Sequence, residues 1–215
     1  MTDTPLIPEL YLILDPDQSP DPCNDFEQVR QTAPIISVLI KTLPPQTIDP
    51  NLIKTIQSHN IAVLLEDTNK VKDLGADGAH VNSEEDAPYI TAQQQLGGDH
   101  IIGINPKTSR HTAMHLAEKG ASYVALEKFA DEDQDDGKDP HKQPPTIAWW
   151  VSLFETPCIA WNITAQDQAI TAQSAGADFI ALAPSFWQQG PNTASIIQKL
   201  QTALTENAAA EHETT

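Results

Sequence analysis

Carboxylates, lysines and amides recur in this sequence directly after short apolar runs, and any site would be built from them. Asp15 follows ELYLIL, Glu66 and Asp67 follow IAVLL, the cluster from Asn82 to Asp86 follows GAHV, and Glu127 follows SYVAL. Lys41, Lys107 and Lys128 close or follow such runs, as do Asn105, Asn162 and Ser185. Several carboxylates near a few lysines suit a divalent cation holding a phosphorylated ligand, because magnesium takes carboxylate and phosphate oxygens. Asp67 and Glu85 are the expected metal ligands, with Glu84 and Asp86 as alternates. The competing reading is that each is a solvated loop acid.

The histidines and tryptophans offer less. His111 and His115 have i, i+4 spacing on a predicted helix but no HExxH motif, so a surface or packed role outweighs a ligand role. His80 falls inside a predicted strand, three residues before Ser83, where it either packs in an interior or forms the wall of a site. Trp149 and Trp150 read as core and rim anchors of a helix.

Eight apolar runs position these groups: ELYLILD (9–15), IISVLIK (35–41), IAVLLED (61–67), GAHVN (78–82), HIIGIN (100–105), SYVALEKF (122–129), PCIAWNI (157–163) and DFIALAPSF (178–186). They are short, branched and nearly continuous in hydrophobicity, as strands buried on both faces are. Helical spacing fills the gaps between them. Leu52, Ile53 and Ile56 share one face, as do Ala113, Leu116 and Ala117, while Asp49, Ser109 and Thr164 stand where helix N-caps belong. Eight strand–helix units in about 200 residues predict an α/β protein with a single (β/α)8 TIM barrel, chemistry being expected at the carboxyl ends of the strands. Gly-Ala-x recurs before the fourth, sixth and eighth runs, at 75–77, 120–122 and 176–178. There the glycine ends a helix and the alanine lets helix and sheet approach.

The barrel is expected over 9–204, followed by a flexible tail at 205–215; the acidic, proline-rich stretch 130–145 reads as a mobile loop. The net charge of −18, from 30 acids and 12 bases, disfavours nucleic acid and anionic membrane surfaces. No run approaches the roughly 18 apolar residues of a membrane span, and MTDTPLIPEL lacks the features of an export signal. Two cysteines, Cys23 and Cys158, are too few for a disulfide framework, so a cytoplasmic protein with reduced thiols is expected. A homo-oligomer is compatible with all of this.

LYLILD, LLED followed by LGADGAHVNSEED, then IIGIN, GASYVAL and GADFIAL together resemble the thiamine phosphate synthase family, which includes the TenI proteins. The likeness runs from the first strand to the eighth, in order and with similar spacing. GADGAHVNSEED is similar to the family's GADGVHLGQxD, and IIGIN to its IIGxS. The resemblance implies a (β/α)8 barrel that joins a pyrimidine methyl pyrophosphate to a thiazole phosphate with magnesium, releasing pyrophosphate. It implies Lys41 and Lys128 as catalytic cations, and Asp67 and Glu85 as metal ligands. Ser37, Lys41, Glu66, His80, Asn105, Asn162 and Ser185 are then the substrate-binding set. The family's Gln-x-Arg-x-Lys after the second strand stands here as Ser37-Val-Leu-Ile-Lys41, its Gly-Pro-x-Phe after the sixth as Glu127-Lys128-Phe129, and its phosphate-cradling Gly-Gly-Ile after the seventh as Trp161-Asn162-Ile163. Those departures remove an arginine clamp and glycine's free backbone. They make a non-catalytic ligand-binding or regulatory barrel the alternative to a synthase.

Overall fold

The computed structural model describes residues 7–41, 48–129 and 145–213. Within them the strands are β1 (Glu9–Leu14), β2 (Ile35–Ile40), β3 (Ala62–Leu65), β4 (Gly78–Asn82), β5 (Ile101–Asn105), β6 (Tyr123–Leu126), β7 (Cys158–Ile163) and β8 (Phe179–Leu182). The helices between them are α1 (Pro22–Arg30), α2 (Pro50–Gln57), α3 (Thr68–Leu74), α4 (Asp86–Leu96), α5 (Arg110–Glu118), α6 (Ile147–Val151) and α7 (Gln166–Ser174), with α8 (Pro184–Trp187) and α9 (Thr193–Glu213) after β8. The strands pair in parallel in chain order, and β8 returns to β1, closing an eight-stranded barrel. This is the predicted (β/α)8 barrel.

The continuous hydrophobicity of the strands reflects two separate apolar layers. Leu10, Leu12, Val38, Ile40, Val63 and Leu65 face outward onto the helices, where the Leu52, Ile53 and Ile56 face of α2 is buried as its spacing predicts. Alternate residues face inward: Tyr11, Ile13, Leu39, Leu64, Tyr123, Ala125, Ile159, Trp161 and Ala181 form a second cluster. An eight-stranded barrel must fill its interior with side chains, and three aromatic residues do much of that here.

The Gly-Ala-x junctions behave as expected and do one thing more. Gly75, Gly120 and Gly176 hold φ of 69°, 93° and 91°, left-handed backbone that favours glycine, and Ala76, Ala121 and Ala177 are buried. The third residue of each junction exchanges two hydrogen bonds with one residue of the preceding strand. Asp77 donates its N–H to the Val63 carbonyl and accepts the Val63 N–H on Oδ2 at 2.7 Å. Ser122 does the same with Ile102, and Asp178 with Cys158. These side chains pair N–H groups near the starts of β3, β5 and β7 that would otherwise lack partners.

Three boundaries differ from the sequence expectation. The run 178–186 divides after Leu182, because Pro184 starts α8 with its preset φ, so Ser185 lies on a helix and not at a strand end. Thr164 precedes the α7 N-cap, Ala165, and instead receives Gln168, whose Oε1 accepts from the Thr164 N–H at 2.9 Å. Asp49 and Ser109 do cap α2 and α5. The last helix runs past 204 to Glu213, with Ala208 buried, whereas 214–215 lie outside the described residues. The acidic stretch predicted as a mobile loop lies outside them at 130–144; on either side, Lys128 and Thr146 form a parallel bridge.

Candidate active site

The acids that close the strands differ in where their carboxylates lie. Asp15 accepts from Asp17 N–H and Gln18 Nε2, while its backbone is bracketed by the Gln188 amide. Asp67 is the N-cap of α3: Oδ1 accepts from the Asn69 N–H at 3.1 Å, and Oδ2 lies 3.7 Å from Lys70 Nζ. Glu84 Oε1 accepts from both the N–H and the hydroxyl of Thr108, and those bonds hold its carboxyl below the usual range. Asp86 faces His115 Nε2 at 3.4 Å, which gives the outer His111–His115 pair a structural use. Glu127 Oε1 accepts from Asn105 Nδ2 at 3.2 Å and lies 3.7 Å from Lys107 Nζ.

Glu66 and Glu85 lie elsewhere. Together with Thr68, His80, Asn82 and Pro88 they line a cleft of about 560 Å³ between the β3–α3 and β4–α4 connections. Glu85 is the N-cap residue of α4 by position, yet its side chain makes no cap hydrogen bond. Strand alternation explains the choice of Glu66 over Asp67: Leu64 points into the barrel, so Glu66 continues that face and Asp67 turns away. Among the described residues no group of three or more His, Cys, Asp or Glu side chains is arranged to hold a metal ion.

The floor of this region is the aromatic interior. His80 is 1% exposed; its Nδ1 lies 2.8 Å from the Tyr123 hydroxyl, which lies 3.0 Å from the Tyr11 hydroxyl. Its ring stacks on Trp161 with centroids 4.1 Å apart. Burial, aided by the positive charge of Lys107, pushes the His80 pKa down to about 3, so the imidazole is neutral. Burial raises both tyrosines above their usual value. Gly103 makes the arrangement possible, since a Cβ there would overlap the Tyr123 ring.

The remaining expected residues are dispersed. Ser37 is buried low in the barrel, its hydroxyl donating to the Ala62 carbonyl. Asn105 is buried, accepting the Lys107 N–H on Oδ1 at 2.9 Å and so supporting the left-handed turn at Lys107. Lys41 continues the inward face of β2, and its N–H donates to the Leu14 carbonyl. Lys128 is at the bridge to Thr146, and Ser185 is exposed on α8. Asn162 is exposed and holds φ of 60°, a left-handed conformation that asparagine tolerates better than most side chains. The irregularity within β7, between Ala160 and Ile163, therefore keeps backbone geometry suited to glycine without the glycines. Sequence reasoning overlooked Tyr11, Gly103 and Tyr123 and read Trp161 only as a lost glycine; their shared inward parity was the available signal.

The protein-family model described as thiamine monophosphate synthase matches residues 49–186. Thiamine-phosphate synthase of Rhodospirillum centenum is 34% identical over 144 residues, 66% of this chain and 68% of that one. That of Hyphomonas neptunium is 34% identical over 154 residues, 71% of this chain and 68% of that one. That of Erythrobacter litoralis is 35% identical over 134 residues, and the match spans 62% of its length. The fold is also that of a thiamine phosphate pyrophosphorylase from Pyrococcus furiosus, with a TM-score of 0.70 over 93% of this chain and 96% of that one at 16% identity. Barrel, motif order and these matches agree: the chain belongs to the thiamine monophosphate synthase/TenI family.

Proposed function

We propose that this protein is a transferase of thiamine biosynthesis that binds a pyrimidine methyl pyrophosphate at the β3–β4 cleft and joins it to a thiazole phosphate, releasing pyrophosphate. One observation carries the reading: Glu66, His80 and Glu85 line a single cleft at the carboxyl ends of two barrel strands. Its volume of about 560 Å³ suits a ring bearing phosphates.

Magnesium fits this donor set with a change of partner. The cation usually takes one or two carboxylates and completes its shell with water and substrate phosphates. Glu66 and Glu85, which line the cleft, would hold it; Asp67 caps α3 and is not among the lining residues. Bound there, the cation would offset charge on the departing pyrophosphate. Lys41 supports the same anion from the end of β2, and the irregular backbone at Asn162 in β7 offers N–H groups to the thiazole phosphate. The reading places the protein in the cytoplasm with small phosphorylated partners, and no described helix is long and apolar enough to cross a membrane.

A second reading, a ligand-binding barrel without turnover, draws on the arginines. The chain has two: Arg30 pairs with Glu27 on α1, and Arg110 lies over the Trp149 ring at 4.4 Å. Neither is among the residues lining the cleft, so the bidentate clamp that arginine gives phosphate is missing from its walls. Purified protein given both substrates and magnesium decides between the two. Thiamine phosphate formed above the no-enzyme rate supports the transferase; saturable pyrimidine binding with no product supports the second reading.

A further inference from the structure

Two tyrosines in the floor of the site have no role in the function proposed above. Tyr11 and Tyr123 form an unbroken chain with His80: Tyr11 Oη to Tyr123 Oη at 3.0 Å, then Tyr123 Oη to His80 Nδ1 at 2.8 Å. The far end is His80 Nε2, which is buried and has no hydrogen-bond partner, although His80 itself lines the cleft. Buried polar atoms without partners are uncommon and call for a reason.

Counting protons along the chain gives its polarity. With both hydroxyls donating toward the histidine, Tyr11 O–H reaches Tyr123 and Tyr123 O–H reaches the Nδ1 lone pair. The single proton left over is then on Nε2, at the residue bordering the cleft. In the reverse sense Nδ1–H donates to Tyr123 and Tyr123 to Tyr11, which strands the Tyr11 proton. Among the described residues Tyr11 Oη has Tyr123 as its one hydrogen-bond partner, and Tyr11 is 1% exposed in an apolar cluster. A donor stranded in a dry interior costs its full desolvation, whereas one beside a cleft can be met by water or ligand.

We infer that Tyr11 and Tyr123 are positioning residues that fix His80 as its Nε2–H tautomer, so that the cleft presents a donor and selects a ligand ring by an acceptor atom. This deepens the pyrimidine-binding reading above and rests on it for the ligand. Burial and Lys107 keep the ring neutral, so its specificity comes from direction and not from charge. Trp161, stacked on one face of the imidazole, and Gly103, which admits the Tyr123 ring, hold the geometry.

The test uses full-length protein labelled with ¹⁵N-histidine, with His80→Gln to assign the resonances. Long-range ¹H–¹⁵N correlation should show His80 protonated at Nε2 and bare at Nδ1 without any ligand. Tyr123→Phe should abolish that preference, and Tyr11→Phe should preserve it, because Tyr123 still donates. A His80 protonated at Nδ1 in the wild type, or unchanged in Tyr123→Phe, overturns the inference. Should Tyr123→Phe fail to fold, the wild-type spectrum still decides, since Nδ1–H there means the chain runs in reverse. Pyrimidine methyl pyrophosphate is then titrated in. A shift at His80 Nε2, with affinity about tenfold lower in Tyr123→Phe, supports the ligand half. Binding seen at other resonances with Nε2 unmoved overturns that half alone. No binding in the wild type overturns the pyrimidine-binding reading and the ligand half with it, and the tautomer result still decides the relay.

Discussion

The imidazole of His80 lies flat on the indole of Trp161, ring centroids 4.1 Å apart and planes 9° from parallel. Trp161 also meets Tyr11 edge-on at 5.7 Å, so one side chain braces both ends of the interior chain. Trp161→Ala should therefore cost about 3–5 kcal/mol, as large aromatic truncations in packed interiors do. Urea unfolding measures it, and a loss below about 1 kcal/mol would mean that the barrel interior is not filled as described.

Acid should expose the burial of His80. Its folded pKa of about 3 lies below the ordinary 6.5 because burial, then Lys107, disfavours the charged ring. Between those values the unfolded chain binds the extra proton, so stability rises with pH across that window and is lost as pH falls through it. The slope is about 1.4 kcal/mol per pH unit, or roughly 2 kcal/mol between pH 6.5 and 5. Unfolding midpoints of wild type and His80→Gln, compared at pH 7, 6 and 5, should converge or cross in the variant's favour as pH falls. Parallel curves would show that His80 protonates without penalty.

Gly103 should not tolerate a methyl group. A Cβ there would collide with the Tyr123 ring, and overpacking of this kind costs about 1–3 kcal/mol. The diagnostic result is coupling. Tyr123→Ala should absorb the Gly103→Ala penalty, making the double variant more stable than the sum of the singles predicts. Strict additivity would place the destabilisation somewhere other than this contact.

The fold was legible because branched, continuously apolar runs alternate with helical spacing, and because Gly75, Gly120 and Gly176 mark the same junction three times. The third residue's part at those junctions was not legible. Asp77 and Ser122 look like loop polar residues until the preceding strand is placed beside them. At the site, the strand-end rule pointed to Glu66 and Glu85, which with His80 line one cleft. It could not separate Glu66 from Asp67, since that depends on strand parity and on an aspartate's tendency to cap the helix it precedes. Trp161 and Asn162 read as the loss of a glycine turn. The structure shows an interior brace and a left-handed asparagine, two local solutions that no spacing rule distinguishes.

The central claim is that the β3–β4 cleft binds a pyrimidine methyl pyrophosphate with magnesium held by Glu66 and Glu85. Calorimetry with and without magnesium on wild type, Glu66→Gln, Glu85→Gln and Glu118→Gln tests it most directly. Glu118, at the end of outer helix α5, controls for bulk charge on a chain of net −18. Magnesium-dependent binding should appear in wild type and Glu118→Gln and fall at least tenfold in each cleft variant, as expected when a charge-assisted contact of about 1.5–3 kcal/mol is lost. Equal affinities across all four proteins, or no magnesium-dependent binding in the wild type, would contradict the account.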